Sequence, residues 1–323
     1  MKFIIMSALL LLSVVSPFTS NAKTYTKANY LIQGHYIEAS GTKLWIEKYG
    51  KGTPAVILIN GAGDSIQEWN TIIPALSRFT TVIGYDRPGL GNSPPIKDIT
   101  FPRTAKAVAK QIETVLKALN ISPPYVFVGH SIAGLYISYF ARNYPEQVAG
   151  IVTVDGNTVT QVFWNKLDIK GLPTDAAKNV KAFNQEEDER QKLLVQQVNA
   201  LKNKKNLTAA DYLLIEHNLE VIDKPESARQ IEASPAMPQV PLIALSEGSS
   251  TDTSYALWHA SIQQFAEEVA CGKFIIVPDT GHYIQIDQPD YVIAAIKTVV
   301  SASRSHISLC KLSLEPPLNK LAM

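Results

Sequence analysis

Surplus charge of one sign is absent from this 323-residue chain. Lys and Arg number 30 against 29 Asp and Glu, which leaves a formal net charge of +1. Because nucleic-acid-binding proteins carry a basic patch or a positive excess, this balance argues against a nucleic-acid partner. The chain also has no internal repeat. Beyond its first residues it has no apolar run near the roughly 18 to 20 residues of a membrane-spanning helix, so we expect no stable membrane span in the mature protein.

The one long apolar run stands at the start of the chain. Lys2 precedes it, the run extends from Phe3 to Val15, and a polar stretch ending at Ala22 follows. A basic residue, a short apolar run and a small-residue cleavage site are typical of a secretory signal. We predict that residues 1–22 are a signal peptide and that the mature protein is exported, either periplasmic or secreted. An uncleaved membrane anchor is the alternative.

Cysteine is scarce, with Cys271 and Cys310 as the two residues of this type. Neither has the neighbours or the spacing of a metal site. An exported protein permits disulfides, and a bridge here would tie the C-terminal tail to the segment before a predicted strand at 273–277. Two free thiols are the alternative. Nothing in the sequence implies a metal or an organic cofactor, and we predict none.

Short apolar segments alternate with helical patterns along most of the chain. Because strands separated by helices pair in parallel, the pattern predicts an α/β fold with a mostly parallel, doubly wound sheet. The first two strands, at 31–39 and 43–49, meet at Ser40-Gly41 and are expected to be antiparallel. The strands predicted after them are at 55–59, 81–85, 125–128, 151–154, 240–245 and 273–277.

The alternation is interrupted once, between residues 160 and 237. This stretch is rich in Lys, Asn and Gln, has helical patches and contains no convincing strand. We interpret it as a helical lid inserted into the sheet domain; a surface excursion without functional weight is the alternative. The predicted core then comprises residues 23–159 and 238–303, and residues 304–323 form a C-terminal tail.

The stretch YVFVGHSIAG, at 125–134, runs from an apolar strand directly into a serine with small neighbours. A serine on a tight strand-to-helix turn is presented as a nucleophile, and its neighbours must be small for the chain to bend. Gly129 and Ala133 flank Ser131, and Ala133 departs by one methyl group from the usual G-x-S-x-G pattern. Ser131 is therefore the candidate nucleophile. The alternative is that it only caps the following helix.

Ligands on such sheets gather at the carboxyl ends of the strands. One strand ends in NGAG, where the N–H of Ala62 can join that of Ile132 as a donor to an oxyanion. The next strand ends in the stiff turn YDRPGLGNS. We expect Asp86 and Arg87 of this turn to brace the loop around the site rather than to take part in the chemistry.

Candidates for the base and the acid also follow strands. His282 comes directly after a glycine beyond the last predicted strand, where it can reach the serine as general base. His130, beside Ser131, is expected to point away and pack. Asp155 and Asp252 each lie beyond a predicted strand, can orient the imidazole, and satisfy the chain order Ser, Asp, His. Asp155 is favoured, with Asp252 as the alternative acid.

Five motifs occur in a fixed order: NGAG at 60–63, YDRPGLGNS at 85–93, GHSIAG at 129–134, VTVDG at 152–156 and DTGHYIQIDQP at 279–289. Because of these motifs, the chain resembles members of the α/β-hydrolase superfamily, and the resemblance extends from about Gly34 to Ala302. The stretches LWHASIQQF and GHYIQIDQPDYV further resemble an exported bacterial subgroup of esterase-like hydrolases. In that subgroup the loop after the penultimate strand needs no aspartate, which favours Asp155. The commoner arrangement of the superfamily puts the acid at Asp252.

The resemblance implies a serine hydrolase that cleaves a carboxylic ester or a related small acyl bond through an acyl-enzyme, with a small-molecule acyl substrate. Lactonase, thioesterase, aminopeptidase and acyltransferase activities use the same residues, and a non-catalytic binding protein on this fold is a further alternative. Haloalkane and epoxide chemistry is disfavoured, since those relatives have a carboxylate where Ser131 stands. Asn60 replaces a histidine of many relatives and is expected to hydrogen-bond the loop.

Overall fold

The computed structural model describes residues 34–39, 42–96, 102–170, 172, 174–248, 253–305, 307–311, 314, 317 and 318. Of residues 174–179, 253 and 254, only the backbone is described. The predicted signal peptide at 1–22 and the alternative acid Asp252 lie outside the described residues, and both stay predictions.

A single sheet forms the centre of the described molecule. Its strands are β1 (Gly34–Ala39), β2 (Thr42–Tyr49), β3 (Val56–Ile59), β4 (Val82–Tyr85), β5 (Tyr125–His130), β6 (Val148–Val154), β7 (Leu242–Gly248) and β8 (Lys273–Pro278). Within the described residues these eight strands lie in the order β1-β2-β4-β3-β5-β6-β7-β8. The pairs β1–β2 and β2–β4 are antiparallel and all further pairs are parallel. The predicted α/β fold with a mostly parallel sheet is confirmed.

Parallel pairing brings the carboxyl ends of the central strands to one edge of the sheet. The strands β3 to β6 are buried along their whole length, as expected for strands covered by helices on both faces. His130 on β5 pairs with Val154 on β6, which in turn pairs with Leu245 on β7. The residues that follow β5 and β6, Ser131 and Asp155, therefore lie side by side at this edge.

Helices cover both faces of the sheet. They are α1 (Ile73–Leu76), α2 (Ala105–Ala118), α3 (Ala133–Asn143), α4 (Val159–Val162), α5 (Thr174–Lys202), α6 (Ala209–Ile222), α7 (Lys224–Glu232), α8 (Thr253–Glu267), α9 (Ile284–Asp287) and α10 (Pro289–Ser305). Successive side chains of a strand point to opposite faces, so Ile57 packs in the layer under α2, α3 and α8, whereas Leu58 packs under α1 and α10. Among the described helices, none combines the length and apolar character needed to cross a membrane.

The predicted lid, residues 160–237, contains α5, α6 and α7 and the end of α4. Helices α5 and α6 pack on each other, whereas α7 packs on α2 and α3 and buries Ala228 and Ile231. By its packing, α7 belongs with the helices that cover the sheet. The boundaries of the lid and of the core stay predictions.

A disulfide joins Cys271 and Cys310, whose Cα atoms are 5.3 Å apart. It connects the segment before β8 with the chain beyond α10, so the alternative of two free thiols is not the arrangement in the structure. Leu309, Leu314 and Leu318 of the tail are buried in the apolar layer that contains α10. The tail is therefore held to the core by a covalent bond and by apolar contacts.

Candidate active site

Ser131 stands half-buried on the turn between β5 and α3, with φ at +53°. This left-handed conformation is costly for a residue with a Cβ atom, so the surrounding structure must hold it. The Ser131 N–H donates to the carbonyl oxygen of Val154 at 3.2 Å, and its own carbonyl oxygen accepts from the N–H groups of Gly134 (3.0 Å) and Asn157 (2.7 Å). The N-cap position of α3 is Ile132, so the alternative in which Ser131 serves only as the helix cap is not supported.

The turn requires small neighbours. A Cβ atom on Gly129 would lie 2.5 Å from Ile137 Cδ1 and 2.9 Å from Ala133 Cβ. A Cβ atom on Gly134 would lie 2.4 Å from the carbonyl oxygen of Asn157. Ala133 itself is fully buried. Its methyl group is accommodated, so the departure from the usual pattern does not prevent the turn.

His282, in the loop after β8, is hydrogen-bonded to Asp155. The distance from His282 Nδ1 to Asp155 Oδ2 is 2.7 Å. The other oxygen of Asp155, Oδ1, accepts from Ser246 Oγ (3.1 Å), the Glu247 N–H (3.2 Å) and Trp258 Nε1 (2.9 Å). Because a carboxylate only accepts, Nδ1 of His282 carries the proton, and the neutral imidazole keeps Nε2 as an acceptor.

The pKa values of this pair favour an ionised acid beside a basic imidazole. Burial pushes the pKa of Asp155 upward, but the hydrogen bond and charge of His282, with the bond from Trp258, outweigh burial and lower the pKa. Burial pushes the pKa of His282 downward, but the hydrogen bond and charge of Asp155 reverse this and raise the pKa. Such a pair is suited to accept a proton at the histidine.

His282 also lies against the residue that precedes Ser131. The His130 and His282 rings are 4.6 Å apart between centroids, and His130 Nε2 is 3.0 Å from the carbonyl oxygen of His282. Asp155 directly follows the β6 residue whose carbonyl oxygen accepts the Ser131 N–H. The structure therefore brings Ser131, His282 and Asp155 to the same edge of the sheet, whereas Asp252 lies outside the described residues.

The NGAG loop, residues 60–63 after β3, is braced from the end of β4 and the turn that follows it. Arg87 donates from Nη1 to the carbonyl oxygen of Asn60 (2.8 Å) and from Nη2 to that of Gly61 (2.6 Å). Asp86 accepts the backbone N–H groups of Ile66 and Asn92 at 2.8 Å each. Asn60 Nδ2 donates to the carbonyl oxygen of Tyr85 at 3.0 Å. The predicted bracing role of Asp86 and Arg87 is confirmed, and Asn60 anchors the loop to β4.

The two candidate oxyanion donors are the N–H groups of Ala62 and Ile132. Within the part of the chain that the structure describes, neither takes part in a hydrogen bond. The N–H groups on either side of Ala62, those of Gly61 and Gly63, each donate to a glutamate side-chain oxygen at 2.9 Å. The Ala62 N–H thus differs from its neighbours in having no protein acceptor among the described residues.

Glu68 and His130 form a buried pair beneath the site. Glu68 Oε2 is 2.7 Å from His130 Nδ1 and accepts from Gln285 Nε2 at 3.1 Å, while Oε1 accepts the Gly61 N–H at 2.9 Å. His130 Nε2 faces the carbonyl oxygen of His282, so this nitrogen carries a proton. A neutral His130 then has a bare Nδ1, and its contact with Glu68 requires a protonated carboxyl group.

The pKa directions agree with such a neutral pair. Burial raises the pKa of Glu68 to about 8 and lowers that of His130 to about 3. Glu68 accepts the N–H of Gly61, and His130 bonds to the carbonyl oxygen of His282. The pair therefore connects the NGAG loop to the loop of His282. His130, which we expected only to pack, therefore also holds the backbone of the candidate base.

Asp64, Glu68 and His130 bring three potential metal-ligand atoms within 4.8 Å of one another. The Glu68 oxygens and the His130 nitrogens already have the protein partners described above, and Asp64 Oδ2 accepts from the hydroxyl of Tyr283 at 3.3 Å. The Glu68 and His130 atoms of this cluster are therefore engaged in hydrogen bonds within the protein.

Sequence reasoning missed the contributions of Glu68, Trp258 and Glu220. Each makes a contact that connects residues far apart in the chain: 62 positions separate Glu68 from His130, 103 separate Trp258 from Asp155, and 157 separate Glu220 from Gly63. Trp258 belongs to a stretch that carried the resemblance, but nothing local marks its indole as a donor to Asp155. A buried glutamate on a helix has no signature that separates it from a solvated one.

Comparison with known sequences identifies a family. The family profile described as alpha/beta hydrolase fold matches residues 54–289. Uncharacterized protein YbdG of Bacillus subtilis is 27% identical over 157 residues, which cover 47% of this chain and 47% of that protein. Pimeloyl-[acyl-carrier protein] methyl ester esterase of Citrobacter koseri is 33% identical over 111 residues, 34% of this chain and 40% of that protein. The matches therefore span less than half the length of these curated relatives.

Comparison with solved structures agrees at the level of the fold. A thermophilic esterase from Thermogutta terrifontis has a TM-score of 0.58 at 20% identity, covering 84% of this chain and 99% of that one. A haloalkane dehalogenase variant from Bradyrhizobium elkanii has a TM-score of 0.60 at 15% identity, covering 85% and 98%. The family profile spans more than half of the sequence, and the fold agrees with that of these solved structures. The chain therefore belongs to the α/β-hydrolase family of enzymes.

Proposed function

We propose that this α/β hydrolase is a serine hydrolase that cleaves a carboxylic ester or a related small acyl bond. The observation that carries the proposal is the 2.7 Å contact between His282 Nδ1 and Asp155 Oδ2, at the same sheet edge as a serine held at positive φ. An imidazole fixed in this way presents Nε2 as a base. Ser131 is the nucleophile, His282 the general base and Asp155 the acid that orients it.

The reaction proceeds through an acyl-enzyme. Ser131 Oγ attacks the carbonyl carbon while His282 Nε2 takes the hydroxyl proton, and the N–H groups of Ala62 and Ile132 stabilise the resulting oxyanion. The bond to the leaving alcohol breaks, and His282 returns its proton to the alcohol oxygen. Water then attacks the acyl carbon, with His282 again taking a proton. The bond to Ser131 Oγ breaks, the serine regains its proton and the carboxylic acid leaves.

A serine at this turn favours acyl transfer over other chemistry on the fold. The structural neighbours include an epoxide hydrolase and a haloalkane dehalogenase, and enzymes of those kinds use a carboxylate as nucleophile. The relatives described as esterases support the ester assignment. Lactones, thioesters and N-terminal amides are cleaved by the same residues, and transfer to an acceptor other than water makes an acyltransferase. A substrate panel separates these alternatives.

Export and a small-molecule acyl substrate complete the proposal. The signal-like residues 1–22 and the disulfide between Cys271 and Cys310 support an oxidising compartment. Mass analysis of the periplasmic and culture fractions tests export, and we expect a mature chain that begins at Lys23. Recovery of only the full-length chain from the cell interior would contradict it.

Ser131→Ala tests the nucleophile. We expect this variant to lose turnover of p-nitrophenyl esters and labelling by a fluorophosphonate probe, with an unchanged circular dichroism spectrum. Ser138→Ala, which alters a buried serine two turns along α3, is the matched control and should retain both. Turnover retained in Ser131→Ala would mean another nucleophile. A folded wild-type protein that the probe does not label would favour the binding-protein alternative.

A further inference from the structure

We propose that helix α6 of the predicted lid is part of the active site rather than a cover over it. This proposal rests on the function proposed above. Glu220 and His217 of α6 act as positioning residues for the oxyanion donor at Ala62. They act by fixing the two peptide groups that meet at this residue. The direction of the Ala62 N–H is then set by the lid and not by the NGAG loop alone.

The first of these peptide groups joins Gly61 to Ala62. Its carbonyl oxygen accepts from Arg87 Nη2 at 2.6 Å and from the N–H of Asp64 at 3.1 Å. This peptide is trans, because the cis bonds of the described residues lie elsewhere. In a trans peptide, C=O and N–H point in opposite directions. Fixing the Gly61 carbonyl therefore fixes the direction of the Ala62 N–H.

Glu220 holds Arg87 in this position. The two side chains are 2% and 3% exposed, respectively. Arg87 Nε–H donates to Glu220 Oε1, and Nη2–H donates to Oε2 at 2.9 Å. The N–H of Gly63 also donates to Oε2, at 2.9 Å. One carboxylate from the lid thus accepts three hydrogen bonds from groups that shape the NGAG loop.

The second peptide group joins Ala62 to Gly63 and is bonded at both ends by α6. Its carbonyl oxygen is 3.1 Å from His217 Nδ1, which is therefore the protonated nitrogen of that ring. Its N–H donates to Glu220. Positions 217 and 220 are three residues apart and share one face of the helix. Rotation of this peptide would break both hydrogen bonds at once.

A second buried ion pair on α6 supplies a matched control. Glu216, one turn before Glu220, binds Arg103 through Nη2 to Oε1 (2.7 Å) and Nε to Oε2 (2.8 Å). Glu216 and Glu220 are equally buried, each 2% exposed. Within the described residues, the hydrogen bonds of Glu216 go to Arg103, and none of them goes to the NGAG loop. Each substitution thus removes the negative charge of a buried ion pair with an arginine. Of the two glutamates, Glu220 contacts the residue next to Ala62, and Glu216 serves as the control.

The test compares Glu220→Gln with Glu216→Gln in the full chain. An amide has one accepting oxygen, so at position 220 it turns an NH2 group toward Arg87 or Gly63 and releases the loop. Loss of an oxyanion donor costs about 100- to 1000-fold in kcat, and a misdirected donor costs less, so we expect kcat to fall by roughly 10- to 100-fold. We expect Glu216→Gln to keep kcat within about threefold, and KM to stay nearly unchanged in both. Urea denaturation should show comparable losses of stability.

Labelling of Ser131 by the fluorophosphonate gives a second rate that needs no known substrate. It should be slowed in Glu220→Gln and not in Glu216→Gln. Equal losses of kcat in the two variants, or unchanged labelling in Glu220→Gln, would overturn the role of α6 and leave the serine hydrolase intact. Absence of labelling in the wild type would overturn both proposals.

If Glu220→Gln does not fold, the variant His217→Ala tests the same proposal. This change removes the half-buried donor to the Ala62 carbonyl oxygen and leaves the ion pair of Glu220 in place. We expect a smaller fall in kcat, on the order of tenfold, since one of the two peptide groups stays fixed. Unchanged kcat and labelling in His217→Ala would overturn the proposal.

Discussion

The substitution Asp155→Asn removes the charge of the candidate acid while keeping its shape. Donors from Ser246, Glu247 and Trp258 converge on Oδ1 of Asp155, and among the described residues Oδ2 faces His282 Nδ1. The asparagine oxygen should stay toward the three donors, because turning the NH2 group toward them would break three hydrogen bonds. The NH2 group then faces His282.

An NH2 donor opposite Nδ1 selects the wrong tautomer of His282. Nδ1 must accept, so the proton of the neutral imidazole moves to Nε2, the atom that has to take the proton of Ser131. The same change in the triad of a serine protease lowers kcat by about 10⁴-fold, equivalent to about 5 kcal/mol in activation free energy. We expect a loss of this order for Asp155→Asn.

The assay is kcat for a p-nitrophenyl ester, measured together with the circular dichroism spectrum and the urea midpoint. Asp252→Asn makes the same chemical change at the alternative acid and should keep kcat within about threefold. A variant Asp155→Asn that keeps more than about a tenth of the wild-type kcat would show that the tautomer of His282 does not depend on Asp155. Equal losses in the two variants would also reject the choice of Asp155.

Three further predictions concern stability. Gly129→Ala puts a methyl group 2.9 Å from Ala133 Cβ, so the free energy of unfolding should fall by about 1–3 kcal/mol in urea denaturation; an unchanged midpoint would contradict this. The pKa of Glu68 rises from a usual 4.5 to about 8, so the folded protein keeps a proton that the unfolded chain releases. Wild-type stability should therefore fall, relative to Glu68→Gln, by up to about 1.4 kcal/mol per pH unit between about pH 5 and pH 8, and parallel pH profiles would show that Glu68 is ionised. Cys271 and Cys310 are 39 positions apart, so reducing the disulfide between them should lower the free energy of unfolding by about 4 kcal/mol. Two free thiols in the non-reduced exported protein would show that this disulfide does not form.

Much of the fold was predictable because buried parallel strands leave a local pattern. The strand predicted at 125–128 is β5, which extends two residues further to His130, and the strand predicted at 273–277 is β8, one residue longer. The extra residues lie at the carboxyl ends, where pairing with the neighbouring strand continues into the turn. The lid was harder to interpret, since the polar surface pattern of α7 does not reveal that Ile231 is buried against the core.

Taken alone, the sequence determined the fold class and pointed to Ser131 and His282, because the constraints on these positions are local. An apolar strand, a glycine and a turn of small residues are adjacent in the chain. Only the tertiary structure decided that Asp155 meets His282 across 127 positions and that Glu220 reaches Gly63 across 157. What a carboxylate does depends on which donors surround it after folding, and no short stretch of sequence encodes that environment.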